Sequence, residues 1–400
     1  MPLRLSKLFK SKLDLAQKIH IVSDARLPLT PSPSRENLSQ SSSATSNSPL
    51  FRKLPPEIRR RILVAAFGDQ TIHVDLVNDH PTLKLTPQDH CGHGGLPLTA
   101  ADNGSDAKVK TKSSAQKSWQ WRSSVCHRNG PDPGPPGHQV QPAHDTCRLG
   151  LTGSQVCNMW PGDGPQKCRI GILGWLLTCK ESYSEGIDVL FATNTFHIAS
   201  RELLSRMHEL FPAQRLERIT SAELIWEIPE APPWHPHGSS EMYKYLRPLW
   251  FFLDEVPAMF PNVRKLHIAI HWDGQYLATL QNTFSELFFG AMQSGIVDRV
   301  DVMVRKLKDS VEFSLALPSS MYRPRRERAK KTTKIEQASD GGKLERLWWP
   351  MHGAGRDGYW IRLGLKDLMM PGQSDSLTYG VDARLIVEDY ILYARASDTW

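Results

Sequence analysis

Cysteine and histidine residues that lie close together along the chain are the side chains in this sequence best suited to metal chemistry. Thiolate and imidazole groups are ligands that zinc prefers in proteins. Three such pairs occur: Cys91-Gly-His93, Cys126-His127 and His144-x-x-Cys147. Their spacings match no paired zinc-finger pattern, and all three fall in a stretch without regular periodicity. We therefore expect them to be chance neighbours in a loop, with neither a metal site nor another cofactor.

Residues that could act as nucleophiles or bases are isolated in the sequence. Cys179 falls on the apolar stripe of a predicted helix with no evident base nearby, so the pattern favours a buried thiol. His73, His197 and His267 each fall within a predicted strand and alternate with apolar residues. Three histidines on sheet strands could converge on a metal. The alternation instead places them on the side opposite the apolar face or in solvent.

Sequence motifs of the known classes of catalytic site are absent. The chain contains no Gly-rich phosphate loop with its Lys, no zinc-protease helix signature and no G-x-S-x-G elbow. We therefore expect no catalytic residues and predict that the protein is not an enzyme. An enzymatic function would require polar side chains to converge in a pocket at the strand ends.

The net charge of +7 is concentrated in two segments. Residues 1–20 hold five basic residues and one acidic residue, and residues 323–334 hold seven basic residues and one acidic residue. The basic residues of the second segment are Arg323, Arg325, Arg326, Arg328, Lys330, Lys331 and Lys334. Such a run is typical of a nuclear import signal or a nucleic-acid patch, and equally of a solvated loop. Because the rest of the chain is slightly acidic, a broad nucleic-acid-binding face is poorly supported.

Composition also bears on the compartment. No apolar run is long enough to span a bilayer, and the N-terminus lacks the hydrophobic core of a signal peptide. The chain has six cysteines, which without a secretory signal are typical of thiols in a reducing compartment. We expect a protein of the cytoplasm or the nucleus.

A helix with an apolar stripe is predicted just after the N-terminal tail. Pro55 and Pro56 suit its first turn, and Gly68 suits its end. Ile58, Ile62 and Ala66 form the stripe, while the arginines at 59–61 are predicted to point mostly outward. The sequence of this segment, Leu54-Pro-Pro-Glu-Ile-Arg-Arg-Arg-Ile62, resembles the opening of an F-box.

The order of several motifs is similar to that of a family of filamentous-fungal proteins that share a domain of unknown function. After the helix, the family shows an I-H strand, a variable insert, an L-L-T-C-(R/K)-x-x-Y-x-E-(A/G) helix and an N-T-F strand. The matching residues here are Ile72-His73, Leu176 to Gly186 and Asn194-Thr-Phe196. The resemblance covers roughly residues 50–305, and it implies no particular biochemical activity.

The F-box resemblance implies a partner. An F-box docks on the adaptor subunit of a cullin-type ubiquitin ligase, and the residues that would carry this contact are Leu54, Pro55, Ile58 and Ile62. The chain departs from an F-box because a strand and about ninety irregular residues follow the first helix. The alternative is that these side chains are ordinary core contacts. We predict a non-enzymatic protein-interaction module, a substrate adaptor of a ubiquitin ligase. The alternative function is that of a nuclear nucleic-acid-associated protein that uses residues 323–334.

The remaining periodicity predicts an α/β fold with a mixed, largely parallel sheet, crossover helices and a long irregular insertion. Strands are predicted over 71–76, 195–198, 222–228, 263–270, 300–304 and 311–317, with further strands near 347–349 and 359–363. Helices are predicted over 174–191, 200–211, 242–260, 276–292 and 383–394. Pro248 is expected to split the third of these helices.

Composition divides the chain into four parts. Residues 1–49 are predicted to be a disordered tail, and residues 50–317 a single α/β domain interrupted by the irregular insertion 78–168. Residues 318–345 are predicted to be a basic flexible loop. Residues 346–400 are expected to add strands and a helix that pack on the domain.

Overall fold

A nine-stranded sheet organises the part of the chain that the computed structural model describes. The described residues are 48–79, 118–129, 141–145, 147, 160–162, 166–228, 238–272, 286–318, 335–337, 345–351 and 357–363. The strands are β1 Thr71–Asp79, β2 Ser118–Val125, β3 Thr195–Ile198, β4 Ser221–Ile228, β5 Lys265–Trp272, β6 Glu312–Leu317, β7 Ile335–Gln337, β8 Glu345–Pro350 and β9 Gly358–Leu363. Their order across the sheet is β2-β1-β3-β4-β5-β6-β9-β8-β7.

The middle of the sheet is parallel and both of its edges are antiparallel. Strands β1, β3, β4, β5, β6 and β9 run in one direction. At one edge β2 pairs antiparallel with β1, and at the other β8 and β7 complete the sheet antiparallel to β9. The predicted α/β fold with a mixed, largely parallel sheet is thereby confirmed.

The helices of the crossovers pack on one face of this sheet. They are α1 Pro49–Lys53, α2 Pro56–Phe67, α3 Ile172–Leu176, α4 Lys180–Thr193, α5 Arg201–Ser205, α6 Met207–Leu210, α7 Ala213–Leu216, α8 Gly238–Met259 and α9 Glu286–Lys306. Each parallel strand adds on the same side of the preceding one. Right-handed crossovers then place all connecting helices on one face. The main core lies between them and includes Trp226, Ile268, Leu249 and Val300.

The strand alternation divides each central strand between two faces. On β4, Ala222, Leu224 and Trp226 point into the main core, while Glu223 and Ile225 point to the opposite face. We call the opposite face the second face. It carries a smaller apolar cluster, in which a residue of the 3-10 turn Pro142–His144 meets residues of four strands or their ends: Ala143, Ala199, Ile225, Ala269 and Ala316.

Part of the stretch predicted as an irregular insertion forms a strand. Strand β2 pairs with β1 over its whole length, from Ile72 opposite Val125 to Asp79 opposite Ser118. Its sequence alternates Trp119 and Trp121 with polar residues, which is a strand pattern that the surrounding Gly- and Pro-rich segments obscure. The chain after β2 then crosses the second face of the sheet.

The prediction of a strand over Val300–Val304 is wrong, because this segment belongs to helix α9. The side chains of Ile296, Val300, Met303 and Leu307 recur every three or four residues and are all buried in the main core. A short run that is rich in valine satisfies both periods, and only its longer context distinguishes them.

The prediction of one continuous helix over 174–191 is also wrong. The chain breaks after α3 at Leu177 and Thr178, and α4 begins at Lys180. Gly186 of α4 allows the two helices to approach closely, because a Cβ atom there would lie 2.6 Å from Cδ1 of Trp175. The glycine therefore serves helix packing, which accounts for a residue that weakens a helix interior.

Two further helices differ in their extent. Ser200 caps the helix that follows it, as predicted, by accepting a hydrogen bond from the Leu203 backbone N–H. The segment 200–211 then divides into α5 and α6. Pro248 does not split α8, which contains both Pro248 and Pro257. The residues after 363, including the predicted helix 383–394, and those before 48 lie outside the described residues.

Candidate functional site

A row of buried polar residues crosses the second face of the sheet at one register. His73 lies opposite His197, His197 opposite Glu223, Glu223 opposite His267, and His267 opposite Ser314. Their side chains follow from the alternation, because the residues on either side of each point into the main core. All three histidines and Glu223 are buried. The prediction that these histidines lie opposite the apolar face is correct, but they are covered and not in solvent.

The segment that follows β2 covers one end of this row. The backbone N–H of Cys126 donates to the Thr71 carbonyl oxygen at 2.8 Å, which extends the β1–β2 pairing by one step. His127 is buried and its ring lies 4.9 Å from the ring of Trp160. Arg128 then reaches across the polar row. The segment is thus fixed by its own contacts as well as by the sheet.

Four buried side chains form a His–Cys–Asp–Cys cluster at this end of the row: His73, Cys126, Asp145 and Cys147. One potential ligand atom from each lies within 4.8 Å of those of the other three. The Cys126 thiol donates to Oδ2 of Asp145 at 3.0 Å, and Nε2 of His73 lies 3.6 Å from the same oxygen. The residues come from three places in the fold, namely β1, the end of β2 and the turn Pro142–His144 with the residues after it.

Arg128 occupies the centre of the charged network beside this cluster. Its guanidinium donates to both carboxylate oxygens of Glu223 at 2.5 Å and to Oδ2 of Asp145 at 3.0 Å. Nδ1 of His197 lies 3.0 Å from Glu223 Oε2. Removing one partner of such a buried pair leaves an uncompensated charge, which costs about 3–5 kcal/mol.

The pKa values follow from this arrangement. Burial alone would raise the pKa of Glu223, but Arg128 and the hydrogen bond from His197 lower it to about 2. The same opposition holds for Asp145, where His73 and Arg128 outweigh burial and hold the pKa of its carboxyl well below the usual range. Burial raises the pKa of the Cys126 thiol well above its usual range. Both carboxylates are therefore ionised at neutral pH, whereas this thiol keeps its proton.

His267 lies farther along the row in a different setting. Its Nδ1 is 2.8 Å from the Ser314 hydroxyl oxygen. Burial lowers the pKa of His267 to about 3, and the positive charges of Arg362 and Arg128 act in the same direction, although Glu223 opposes them. The ring is therefore neutral at pH 7 and holds a hydrogen bond inside the structure.

The structure unites parts of two of the predicted metal-ligand pairs. Cys126 and Cys147 lie in the same cluster, although they are 21 positions apart in the sequence. His127 points to Trp160, so the Cys126-His127 pair does not act as a unit. Sequence analysis missed Asp145 and the part that His73 takes in the cluster. The spacing Cys126-x18-Asp145-x-Cys147 was the available signal, but it matches no known pattern.

The remaining cysteines have other surroundings. Cys179 lies at the N-terminus of α4, where its Sγ accepts a hydrogen bond from the Ser182 backbone N–H at 3.4 Å, so the prediction of a thiol on the apolar stripe is wrong. Cys168 is buried in the 3-10 turn Gln166–Cys168. The pair Cys91 and His93 lies outside the described residues.

Helix α2 places its apolar stripe on the protein surface. Ile58 is 39% exposed and Ile62 is 49% exposed, whereas Leu63 is 2% exposed and faces the body. Pro55 is exposed and Leu54 is partly buried. The alternative that all four side chains are core contacts is therefore wrong for both isoleucines. The side of the helix that faces the body is the one that carries Arg59 and Leu63.

Arg59 points inward, contrary to the prediction for the arginines at 59–61, and fixes α2 on α4. Its guanidinium donates to both carboxylate oxygens of Glu185 and to the carbonyl oxygens of Phe51 and Leu54. Phe51 in turn lies against Trp175 of α3. Helices α1, α2, α3 and α4 therefore form one contiguous group at the start of the domain. Leu173 and Leu177, on and just after α3, are also exposed.

The basic run Arg323 to Lys334 lies outside the described residues, so nucleic-acid binding stays a prediction. It enters the described structure at Ile335, the first residue of edge strand β7. Among the helices that the structure describes, none has the length and hydrophobicity needed to cross a membrane.

Comparison with known proteins identifies the family. The model of a domain of unknown function, DUF7730, matches residues 43–337, which contain α2, the His–Cys–Asp–Cys cluster and the polar row. Neither the curated proteins nor the solved structures gave a match. The resemblance to a family that shares a domain of unknown function is thereby confirmed, and because the match covers more than half of its length, the chain belongs to the DUF7730 family.

Proposed function

We propose that this protein is a non-enzymatic interaction module whose helix α2 docks on the adaptor subunit of a cullin-type ubiquitin ligase. The observation that carries the proposal is the orientation of α2. Ile58 and Ile62, four positions apart, form an apolar stripe on the outer side of a helix whose inner side is fixed by Leu63 and Arg59. Two such anchors at this spacing are what a helix needs to fill an apolar groove of a partner.

The arrangement around α2 supports docking by a preformed surface. The Arg59–Glu185 pair and the Phe51–Trp175 contact hold α1, α2 and α3 in place before any partner binds. A preorganised helix loses less conformational entropy on binding than one that must fold. In this proposal the sheet and its insertion recruit a second protein, which would be the substrate of the ligase.

The burial of the polar row supports a function without catalysis. His73, His197 and Glu223 are each at least nine-tenths buried, so a substrate has no open path to them within the described part of the chain. A catalytic group needs to reach the reacting atoms within hydrogen-bond distance. The proposed location, in the cytoplasm or nucleus, is where cullin-type ligases act on their substrates.

The test is direct binding of the full-length chain to the purified adaptor subunit, measured by titration calorimetry. We expect binding by the wild type and a loss of affinity of at least about tenfold for the Ile58→Asp/Ile62→Asp double variant, because each aspartate places a charge in an apolar groove. Val302→Asp is the matched control, since Val302 of α9 is 44% exposed and aliphatic but lies on another helix. Its affinity should equal that of the wild type.

Circular dichroism establishes that the variants are folded. Because Ile58 and Ile62 are exposed, their replacement should leave the thermal unfolding midpoint nearly unchanged. Leu63→Asp should unfold the helix group, since it places a charge where the side chain is 2% exposed. Absence of binding by the wild type, or equal binding by the double variant, would rule out the adaptor as the partner of α2.

A further inference from the structure

We propose that His73, Cys126, Asp145 and Cys147 bind one zinc ion, which fixes the segment after β2 to the second face of the sheet. The four groups are one imidazole, two thiols and one carboxylate, and together they make the complete ligand set of a closed tetrahedral site. This inference does not depend on the proposed docking of α2, because the cluster and α2 use different residues.

The geometry fits a single small ion. Zinc bonds of about 2.0–2.3 Å place tetrahedral ligand atoms roughly 3.3–3.8 Å apart. Nε2 of His73 lies 3.6 Å from Oδ2 of Asp145, and Sγ of Cys126 lies 3.0 Å from the same oxygen. All four potential ligand atoms fall within 4.8 Å of one another. Shifts of a few tenths of an ångström therefore convert the cluster into a coordination shell.

The protein groups around the cluster orient the proposed ligands. Oδ1 of Asp145 accepts a hydrogen bond from the Cys147 backbone N–H at 2.9 Å, which leaves Oδ2 directed at the cluster. The His127 backbone N–H donates to Sγ of Cys147 at 3.1 Å, and that of Arg128 to Sγ of Cys126 at 3.5 Å. Backbone donors of this kind stabilise thiolates and hold them in place for a metal.

The charges favour a doubly charged cation of intermediate softness. Two thiolates and a carboxylate carry three negative charges, and the Arg128 guanidinium, 3.0 Å from Oδ2 of Asp145, balances the one that remains beside a dication. Magnesium and calcium prefer oxygen ligands and do not suit a site with two sulfurs. A four-ligand set of nitrogen, oxygen and sulfur in a closed, buried position is characteristic of structural zinc.

The placement of the cluster explains what the ion would do. The segment from Cys126 to Cys147 crosses a face of the sheet on which its described apolar contacts come mainly from small residues such as Ala143. Hydrophobic burial by such small side chains stabilises a segment weakly. A zinc ion between β1, the end of β2 and the turn at 142–144 would replace a large apolar contact by a coordinate link.

The first test is the zinc content of the full-length chain, purified without chelator and measured by plasma mass spectrometry. We expect about one zinc per chain in the wild type and a loss of at least about tenfold in the Cys126→Ser/Cys147→Ser double variant. Cys168→Ser is the matched control, because Cys168 is also a buried free cysteine but lies outside the cluster. It should keep the full zinc content.

The second test needs no loss of ligands and so does not depend on whether the double variant folds. Cobalt bound to the chelator-treated wild type should give the visible spectrum of a tetrahedral site and a sulfur-to-cobalt charge-transfer band. Asp145→Cys adds a third thiolate and should strengthen that band while the tetrahedral spectrum persists. A chain that takes up neither zinc nor cobalt would overturn the proposal. So would a mass lower by two hydrogens in the native chain, which would indicate a Cys126–Cys147 disulfide, or an equal loss of zinc in Cys168→Ser.

Discussion

The neutral imidazole of His267 links stability to pH through a single side chain. Its pKa is about 3 in the folded chain, well below the ordinary value of about 6.5, so the unfolded state binds the proton more readily. The stability that the neutral ring contributes is fully present above pH 6.5 and is lost as the pH falls toward 3. Glu223, with a pKa of about 2, acts in the same direction below pH 4.5.

We therefore predict that His267→Asn weakens the acid dependence of unfolding. Asparagine keeps a group near Nδ1 that can bond the Ser314 hydroxyl but does not titrate. Between pH 6.5 and 5 the free energy of unfolding of the wild type should fall more steeply than that of the variant, by up to about 1.4 kcal/mol per pH unit. Urea unfolding at several pH values measures both slopes. His208→Asn, at an exposed histidine, controls for the change in charge. Parallel slopes for wild type and His267→Asn would contradict the assignment.

At the residue scale, the sequence predicted positions on faces but not their surroundings. Alternation alone places His73, His197 and His267 opposite the apolar side of the sheet. Whether that side is wet or covered depends on a segment 18 or more positions away, and no local pattern carries this information. For the same reason the grouping of Cys126 with Asp145 and Cys147 could not be predicted. It depends on how the chain between them returns to the sheet.

At the scale of elements, two helical glycines make opposite predictions for one substitution. A Cβ atom on Gly186 would meet the Trp175 ring at 2.6 Å and a Leu176 methyl at 2.8 Å, whereas a Cβ atom on Gly295 of α9 would meet nothing within 4 Å. Glycine to alanine in an open helix position stabilises by about 0.5–1 kcal/mol. We expect that gain for Gly295→Ala.

For Gly186→Ala we expect a loss of stability, because α3 must move away from α4 and its contacts with Phe51 and Arg59's neighbours loosen. Thermal and urea unfolding of both variants provide the comparison, and each is the control for the other. If Gly186→Ala were as stable as Gly295→Ala, the close packing of α3 on α4 would not hold. The tightness of the helix group that supports α2, and hence of the proposed docking surface, would then be in doubt.

The elements themselves were predicted where one period extends over a long segment. Strand β4 and helix α8 follow from such patterns, even though Pro248 lies inside the helix. Short segments failed, because Val300–Val304 fits a strand as well as a helix and because α3 and α4 share one apolar spacing across a break. Helix α2 was predicted, but its orientation was not. An isoleucine stripe points to the core in most helices, and only the Arg59–Glu185 pair across 126 positions reverses it.

At the scale of the whole molecule, the succession of strands and helices was enough to predict the parallel sheet. Crossover connections have one hand, so few arrangements remain once the order of elements is known. The order of strands was not predicted, because β3, β4, β5 and β6 are all buried on both faces and carry similar apolar sequences. The cover of the second face was also not predicted, since it is an insertion with little apolar content.

The two faces of the sheet should therefore differ in how they respond to removal of zinc. The helical face is held by a large apolar core, while the second face depends in our proposal on the ion. A bound ion stabilises the folded state by about 4 kcal/mol when its free concentration is about a thousand times its dissociation constant. Chelation should remove this contribution locally. We predict faster amide hydrogen exchange in β2 and in residues 141–145, with little change in α8 and β5.

Hydrogen exchange with mass-spectrometric detection, on the full-length chain before and after chelation, measures this difference face by face. The Cys126→Ser/Cys147→Ser variant should exchange like the chelated wild type and should not respond to chelator, whereas Cys168→Ser should behave like the untreated wild type. Uniform acceleration across both faces would mean that the cluster supports the whole fold and not one segment of it. Unchanged exchange in β2 would show that the pairing with β1, from Ile72 to Asp79, is sufficient to hold the segment without a metal.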